Sequence, residues 1–199
     1  MTQPEILAVV SFLVVALMAI TFHEASHAYM AHLCGDDTAK NLGRVSFNPL
    51  KHIDLIGTIL LPGLLFAVHA PFLFGWAKPV PVNYARLRNV KRDMMFVAAA
   101  GPGANFVLAL ASVAAGAVTI GLNGPQWLVD ALGASLWLNL VLGVFNLIPI
   151  PPLDGSKVLA GMLPDAWAAR FLGLGRRRPK QTPPPVPDEP PAPPRMWDY

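Results

Sequence analysis

Residues 6–31 are apolar on every helical face, and neither Pro nor Gly interrupts them. As a helix this run rises about 39 Å, more than the ~30 Å of a bilayer's hydrocarbon core, so it predicts a span whose last turns reach the headgroups. Residues 1–5 carry no basic charge, and no small-residue cleavage pattern follows a short apolar core. The run is therefore expected to stay as a span and not to be removed as a signal. Residues 35–54 are polar and rich in turn formers, and the alternation over 44–47 predicts a short strand that Asn48-Pro49 ends. Residues 55–76 are apolar again but punctured by Gly57, Pro62, Gly63, Pro71 and Gly75. Such a stretch either spans with kinks or dips into the membrane and returns, shielded by protein or water. Two further spans are predicted at 94–120 and 131–150, and a short amphipathic helix broken by Pro164 at 156–174.

Composition strengthens the membrane reading. Of 199 residues, 54% are hydrophobic and 14% charged, against roughly 25% charged in globular domains. Between residues 6 and 33 the only charged side chain is Glu24, whereas Arg176, Arg177, Arg178 and Lys180 crowd the start of a Pro-rich tail. The expected fold class is an all-α integral membrane protein, a polytopic bundle with a three-span core, a broken or re-entrant apolar segment and a short β element. Residues 1–174 form the membrane domain, and 175–199 form a basic, disordered tail. The tail is read as a solubilising end, and no partner is assigned to it. Basic residues are not interleaved with exposed aromatics, which excludes nucleic-acid binding. The lone Cys34 gives neither a disulfide framework nor a Cys-rich metal site.

Candidate chemistry sits where charge is most expensive. His23-Glu24-Ala-Ser-His27 puts two imidazoles four residues apart on one helical face, with a carboxylate beside them. Zinc takes such nitrogens at about 2.0–2.1 Å and needs a third protein ligand. Glu24 is placed to take a proton from water and deliver it to a leaving amine. Asp154 is the best candidate for the missing ligand, because the preceding Pro-Ile-Pro-Pro-Leu segment turns the chain back after a span. His32, His52 and His69 are rivals.

The three motifs His23-Glu-x-x-His27, Gly101-Pro-Gly-Ala-Asn105 and Phe145-Asn-Leu-Ile-Pro-Ile-Pro-Pro-Leu-Asp154-Gly155, in this order, resemble the site-2 protease family of intramembrane zinc metalloproteases. The resemblance covers residues 6 to about 158. It implies zinc, one per chain, held by His23, His27 and Asp154, with Glu24 as catalytic base and Asn146 near a substrate strand or oxyanion. It also implies cleavage within or next to transmembrane helices of single-span substrate proteins in the lipid bilayer. No segment here corresponds to the PDZ or CBS domains of larger members, so the likeness is to compact ones.

Topology bears on the chemistry. His27 lies in the last part of the first span and Asp154 just past the outgoing end of the last, so they meet only if those two spans run parallel. A single crossing by residues 55–76 would set them a membrane thickness apart; a re-entrant segment, or one that crosses and returns, keeps them together. The second arrangement leaves the basic excess of residues 35–93 and the Arg176–Lys180 cluster on the cytoplasmic side. A single crossing, with residues 35–54 outside, satisfies the positive-inside rule as well, so charge does not decide and the metal geometry does. The expected location is the cell membrane, multi-pass, with the tail cytoplasmic. A metal-ion transporter or a non-catalytic scaffold is the alternative, but a transporter would carry polar residues at several depths, and residues 6–22 offer only Ser11 and Thr21.

Overall fold

The structure is a computed structural model that describes residues 3–68 and 75–173. Three helices are long and apolar enough to cross a membrane: α1 (Gln3–Leu33), then, after the short α2 (Thr38–Asn41) and α3 (Leu61–Ala67), the helices α4 (Val90–Gly121) and α5 (Gln126–Asn146). Two short helices follow, α6 (Asp154–Met162) and α7 (Asp165–Phe171), broken at Leu163-Pro164. The protein is a helical membrane bundle in which α1 and α5 run parallel and α4 runs between them in the opposite sense.

Packing is inverted relative to a soluble bundle. Leu13, Val14, Val107, Leu110 and Trp137 face outward, while the buried positions include Ala19, Ala25, Ala28, Ala31, Ala98 and Ala109 and the polar Thr21, His23, His27, Asn105, Ser112 and Asn139, with Val97 the one larger aliphatic side chain buried within the described spans. Lipid tails are as apolar as leucine, so burying leucine between helices gains little. Small residues that let backbones approach, and hydrogen bonds between helices, hold such bundles together.

Helix limits follow backbone chemistry more closely than hydropathy. Helix α4 starts before the apolar run because of a reciprocal cap: the Asn89 side chain accepts from Arg92 N at 3.2 Å, and Asp93 accepts from Asn89 N at 2.8 Å. Helix α5 starts directly after Pro125 and ends at Asn146, four residues short of the apolar run. Pro149, Pro151 and Pro152 have no N–H with which to continue it, and tight turns carry the chain to Asp154 instead.

The segment after His52 leaves the bundle end and comes back. Asp54 accepts from Ile56 N at 3.1 Å and Gly57 N at 2.7 Å, which starts a π-helical turn over Leu55–Leu60 that continues into α3. Together these rise only about 20 Å, too short to cross. On the return limb Trp76 N donates to Gly57 O at 3.0 Å, Thr58 Oγ1 donates to Trp76 O at 2.8 Å, and Lys78 N donates to His52 O at 3.0 Å. A Cβ on Gly57 would lie 2.4 Å from the Trp76 indole, so only glycine lets the two limbs touch.

The expected strand at 44–47 is not there: among the described residues there are no strands. Arg44 instead donates to Lys78 O at 2.6 Å, and Phe47 tilts over Phe22 with ring centroids 4.7 Å apart. The neighbouring chain contains Pro79 and Pro81, whose missing N–H groups cannot form a ladder. The tail and His69 lie outside the described residues.

Because the two limbs join at one end of the bundle, the flanks of the segment share a membrane face. Lys40→Cys and Arg86→Cys, each in a Cys34→Ser background, should be labelled by an impermeant thiol reagent from the same side. Labelling from opposite sides would contradict the fold.

Candidate active site

Residues four apart on α1 set two imidazoles one above the other, and the turn after α5 delivers a carboxylate to them. His23 Nε2 and His27 Nε2 lie 3.0 Å apart, and Asp154 Oδ2 lies 3.2 Å from the first and 3.1 Å from the second. All three side chains are buried. Ligand atoms on a tetrahedral zinc with bonds of 2.0–2.1 Å are separated by about 3.3–3.4 Å. The observed triangle needs to open by only a few tenths of an ångström.

The outer hydrogen bonds decide what the triangle can hold. His27 Nδ1 lies 2.7 Å from Val97 O, a group that only accepts, so the proton is on Nδ1. The same turn of α4 contains Pro102, which supplies no N–H to the Ala98 carbonyl. His23 Nδ1 lies 2.6 Å from Asn105 Oδ1. The orientation of that amide is fixed, because Asn105 Nδ2 donates to Asn139 Oδ1 at 2.8 Å and Ala19 O at 3.2 Å. With a proton on each Nδ1, the two imidazoles in their neutral form turn Nε2 lone pairs toward each other and toward the carboxylate oxygen. The donor set fits a divalent cation such as zinc, and backbone or amide acceptors on the far ring nitrogens are the usual support of metal-binding histidines.

Asp154 uses one oxygen in this cluster. Its other oxygen accepts from Lys157 Nζ at 3.1 Å, one helical turn along α6. The Lys157 ammonium there favours the ionised carboxyl, the form that a metal ligand needs.

Glu24 stands beside the triangle and outside it. Its Oε2 accepts from Val80 N at 2.8 Å. Residues 77–83 form an extended strap over the site, and Val80 has the only N–H in the stretch 79–81 because Pro79 and Pro81 flank it. Asp36 anchors the far end of the strap, accepting from Asn83 N at 2.6 Å and from Thr38 N at 3.0 Å. Burial opposes its ionisation, yet these donors and the Arg86 charge keep the carboxyl below its ordinary range. Val82, Tyr84 and Leu87 pack against Met30, Ala31 and Val97, which seats the strap on α1 and α4. Beneath it lies a cleft of about 370 Å³ whose walls include His23, Glu24, His27, Tyr84, Asn146 and Asp154.

The sequence-predicted residues thus converge, with Asn146 on the cleft wall and its Nδ2 turned back to Leu142 O at 3.0 Å. The rival histidines lie elsewhere: His52 is buried against Ser46 O at 2.8 Å, and His32 pairs with Asp37 near the surface. Sequence reasoning missed the contacts of Asn139, Lys157 and Val80. A lone Asn in the middle of an apolar span was the available signal for the first.

The apolar bundle and the His–Glu–His–Asp constellation put the protein among membrane-embedded metalloproteases. The family model described as Peptidase family M50 matches residues 125–171. YwhC of Bacillus subtilis is 39% identical over 83% of this chain and 75% of its own length. Rip2 of Mycolicibacterium smegmatis is 32% identical over 72% of this chain and 53% of its own length, and Rip2 of Mycobacterium tuberculosis is 31% identical over 79% and 60%. All three relatives carry zinc metalloprotease in their names. No solved structure matches the chain. The chain belongs to peptidase family M50, the site-2 protease family.

Gly101 forms the floor of the site. A Cβ there would lie 2.4 Å from His27 Nε2 and 2.7 Å from His23 Nε2, and both rings are pinned by their Nδ1 hydrogen bonds. Gly101→Ala should weaken metal binding roughly tenfold or more, in keeping with an overpacking cost of about 1–3 kcal/mol. Gly103→Ala, whose Cβ meets nothing within 4 Å, should not. Metal titration of the two purified variants makes the comparison.

Proposed function

We propose that the protein is a zinc-dependent intramembrane endopeptidase that hydrolyses peptide bonds within or next to the transmembrane helices of single-span proteins. In this reading one zinc per chain is held by His23 Nε2, His27 Nε2 and Asp154 Oδ2. The site and the C-terminal tail are on the cytoplasmic side of the cell membrane. The observation that carries the proposal is the convergence of three buried electron-pair donors beside a glutamate in an apolar bundle. Such a group is costly in a membrane unless it is used.

When bound, zinc supplies a Lewis acid that polarises the scissile carbonyl and makes water easier to deprotonate. The remaining chemistry belongs to the chain. Glu24 accepts a proton from the attacking water, whose oxygen bonds to the carbonyl carbon. The C–N bond then breaks, and Glu24 returns the proton to the leaving nitrogen. Val80 N–H holds one oxygen of this carboxylate, Oε2, and the other is the one offered to the water. Lys157 holds the second oxygen of Asp154, so the carboxylate offers the metal a single atom. Asn146, on the cleft wall with its amide directed by Leu142 O, is positioned for a backbone group of an extended substrate. The strap and the apolar bundle around the cleft limit water to it, while the substrate must unwind locally to expose its peptide bond.

The test is a membrane-embedded single-helix substrate with Gly, Asn or Pro near its midpoint, residues that lower the cost of unwinding. Glu24→Gln keeps size and hydrogen bonding but removes the base. Its zinc content should match wild type while cleavage falls roughly 10²-fold or more, the usual range for a general base. Asp154→Ala should lose both zinc and cleavage. A Glu24→Gln protein that cleaves at the wild-type rate would rule the mechanism out.

A further inference from the structure

Asn139 lies two helical turns before the end of α5 and is 1% exposed. An amide at that depth has to find partners within the bundle. Its Nδ2 donates to Ser135 O at 2.9 Å, a carbonyl that can only accept, and this fixes which face of the amide presents oxygen. Its Oδ1 then accepts from Asn105 Nδ2 at 2.8 Å. Asn105, fully buried on α4, has its second amide hydrogen on Ala19 O at 3.2 Å and its oxygen on His23 Nδ1 at 2.6 Å. The Ser112 and Ser135 hydroxyls, 2.8 Å apart, continue the polar contacts between α4 and α5. No apolar side chain interrupts the series from the Ser135 carbonyl to the His23 ring.

We infer that Asn139 is a positioning residue for the metal site, acting through Asn105 to hold His23 with its proton on Nδ1 and its Nε2 lone pair facing the metal. The argument is one of directionality. If the Asn105 amide turned over, its NH₂ would face the His23 Nδ1–H, donor against donor. The ring would escape by moving its proton to Nε2, where it would block the metal. The Asn139 oxygen opposes that flip, because the flipped amide would set two carbonyl oxygens against each other. The longer contact to Ala19 O, a carbonyl in the hydrogen-bond ladder of α1, is the weaker of the two restraints. The metal-bearing helix is thereby tied to an anchor on α5 that touches neither metal nor substrate. This inference rests on the reading of His23 as a metal ligand.

Zinc dissociation constants of the full-length protein in detergent, measured by competition with a chromophoric chelator, test it. Asn139→Leu should weaken zinc binding about 10- to 100-fold, the range for lost outer hydrogen bonds at metal sites. In an Asn105→Leu background the same change should add less than about twofold, since the intermediary is already gone. Asn139→Asp should stay within about threefold of wild type. Its buried carboxyl is favoured in the neutral form, which keeps a donor for Ser135 O and an acceptor for Asn105. Asn139→Ala makes the same comparison if the leucine variant does not fold. Unaltered affinity in Asn139→Leu would overturn the inference, as would equal weakening in both backgrounds, which would mean a general loss of packing. A tenfold loss in Asn139→Asp would also overturn it. Failure of the wild type to bind zinc would instead overturn the metal site itself.

Discussion

Two imidazole lone pairs and a carboxylate oxygen, held 3.0–3.2 Å apart inside an apolar bundle, repel one another unless a cation lies between them. Much of the architecture follows from holding that arrangement in place. The outer nitrogens must be supplied with acceptors, which Val97 and Asn105 provide. Nothing larger than hydrogen fits on the α4 backbone beneath the rings, which accounts for Gly101. The carboxylate must arrive from a segment beyond the last span, so α1 and α5 must be parallel and the intervening chain must reverse an even number of times.

The re-entrant segment meets that last condition. It provides apolar length without a crossing, closed by backbone hydrogen bonds at Gly57, Trp76 and Lys78 and by the direct contact of glycine with indole. Its return limb continues as the Pro-flanked strap that gives its one local N–H to Glu24. Proline here does two jobs: it keeps the strap extended, and it prevents the strap from forming a ladder with residues 44–47.

In a lipid environment the usual relation between burial and hydrophobicity no longer orients helices. The spans are apolar all round, and their rotation about their own axes is set by small residues and by a few polar side chains that must meet. The contact between Asn105 and Asn139 therefore fixes the rotation of α4 against α5 as well as supporting His23.

Much of this was legible in the chain. The first span, the i, i+4 histidines with their glutamate, and the proline-rich reversal before Asp154 are all local: each depends on the geometry of one helix or one turn, and residue spacing encodes that geometry directly. The three-span core and the pairing of His23 and His27 with Asp154 followed from these features and a parity argument. Tertiary structure decided the rest. Helix α4 began at a cap within a polar stretch, and α5 stopped where N–H groups ran out, neither of which hydropathy registers. The alternation at 44–47 looked like a strand, but a strand needs a partner with free N–H groups, and its neighbour is proline-rich. Asn139, Lys157 and Val80 N–H had no visible role because an isolated polar group in a sequence has no stated partner. The partner is determined by how helices are rotated and by which backbone groups a return limb brings near, and those follow only from packing of the whole bundle.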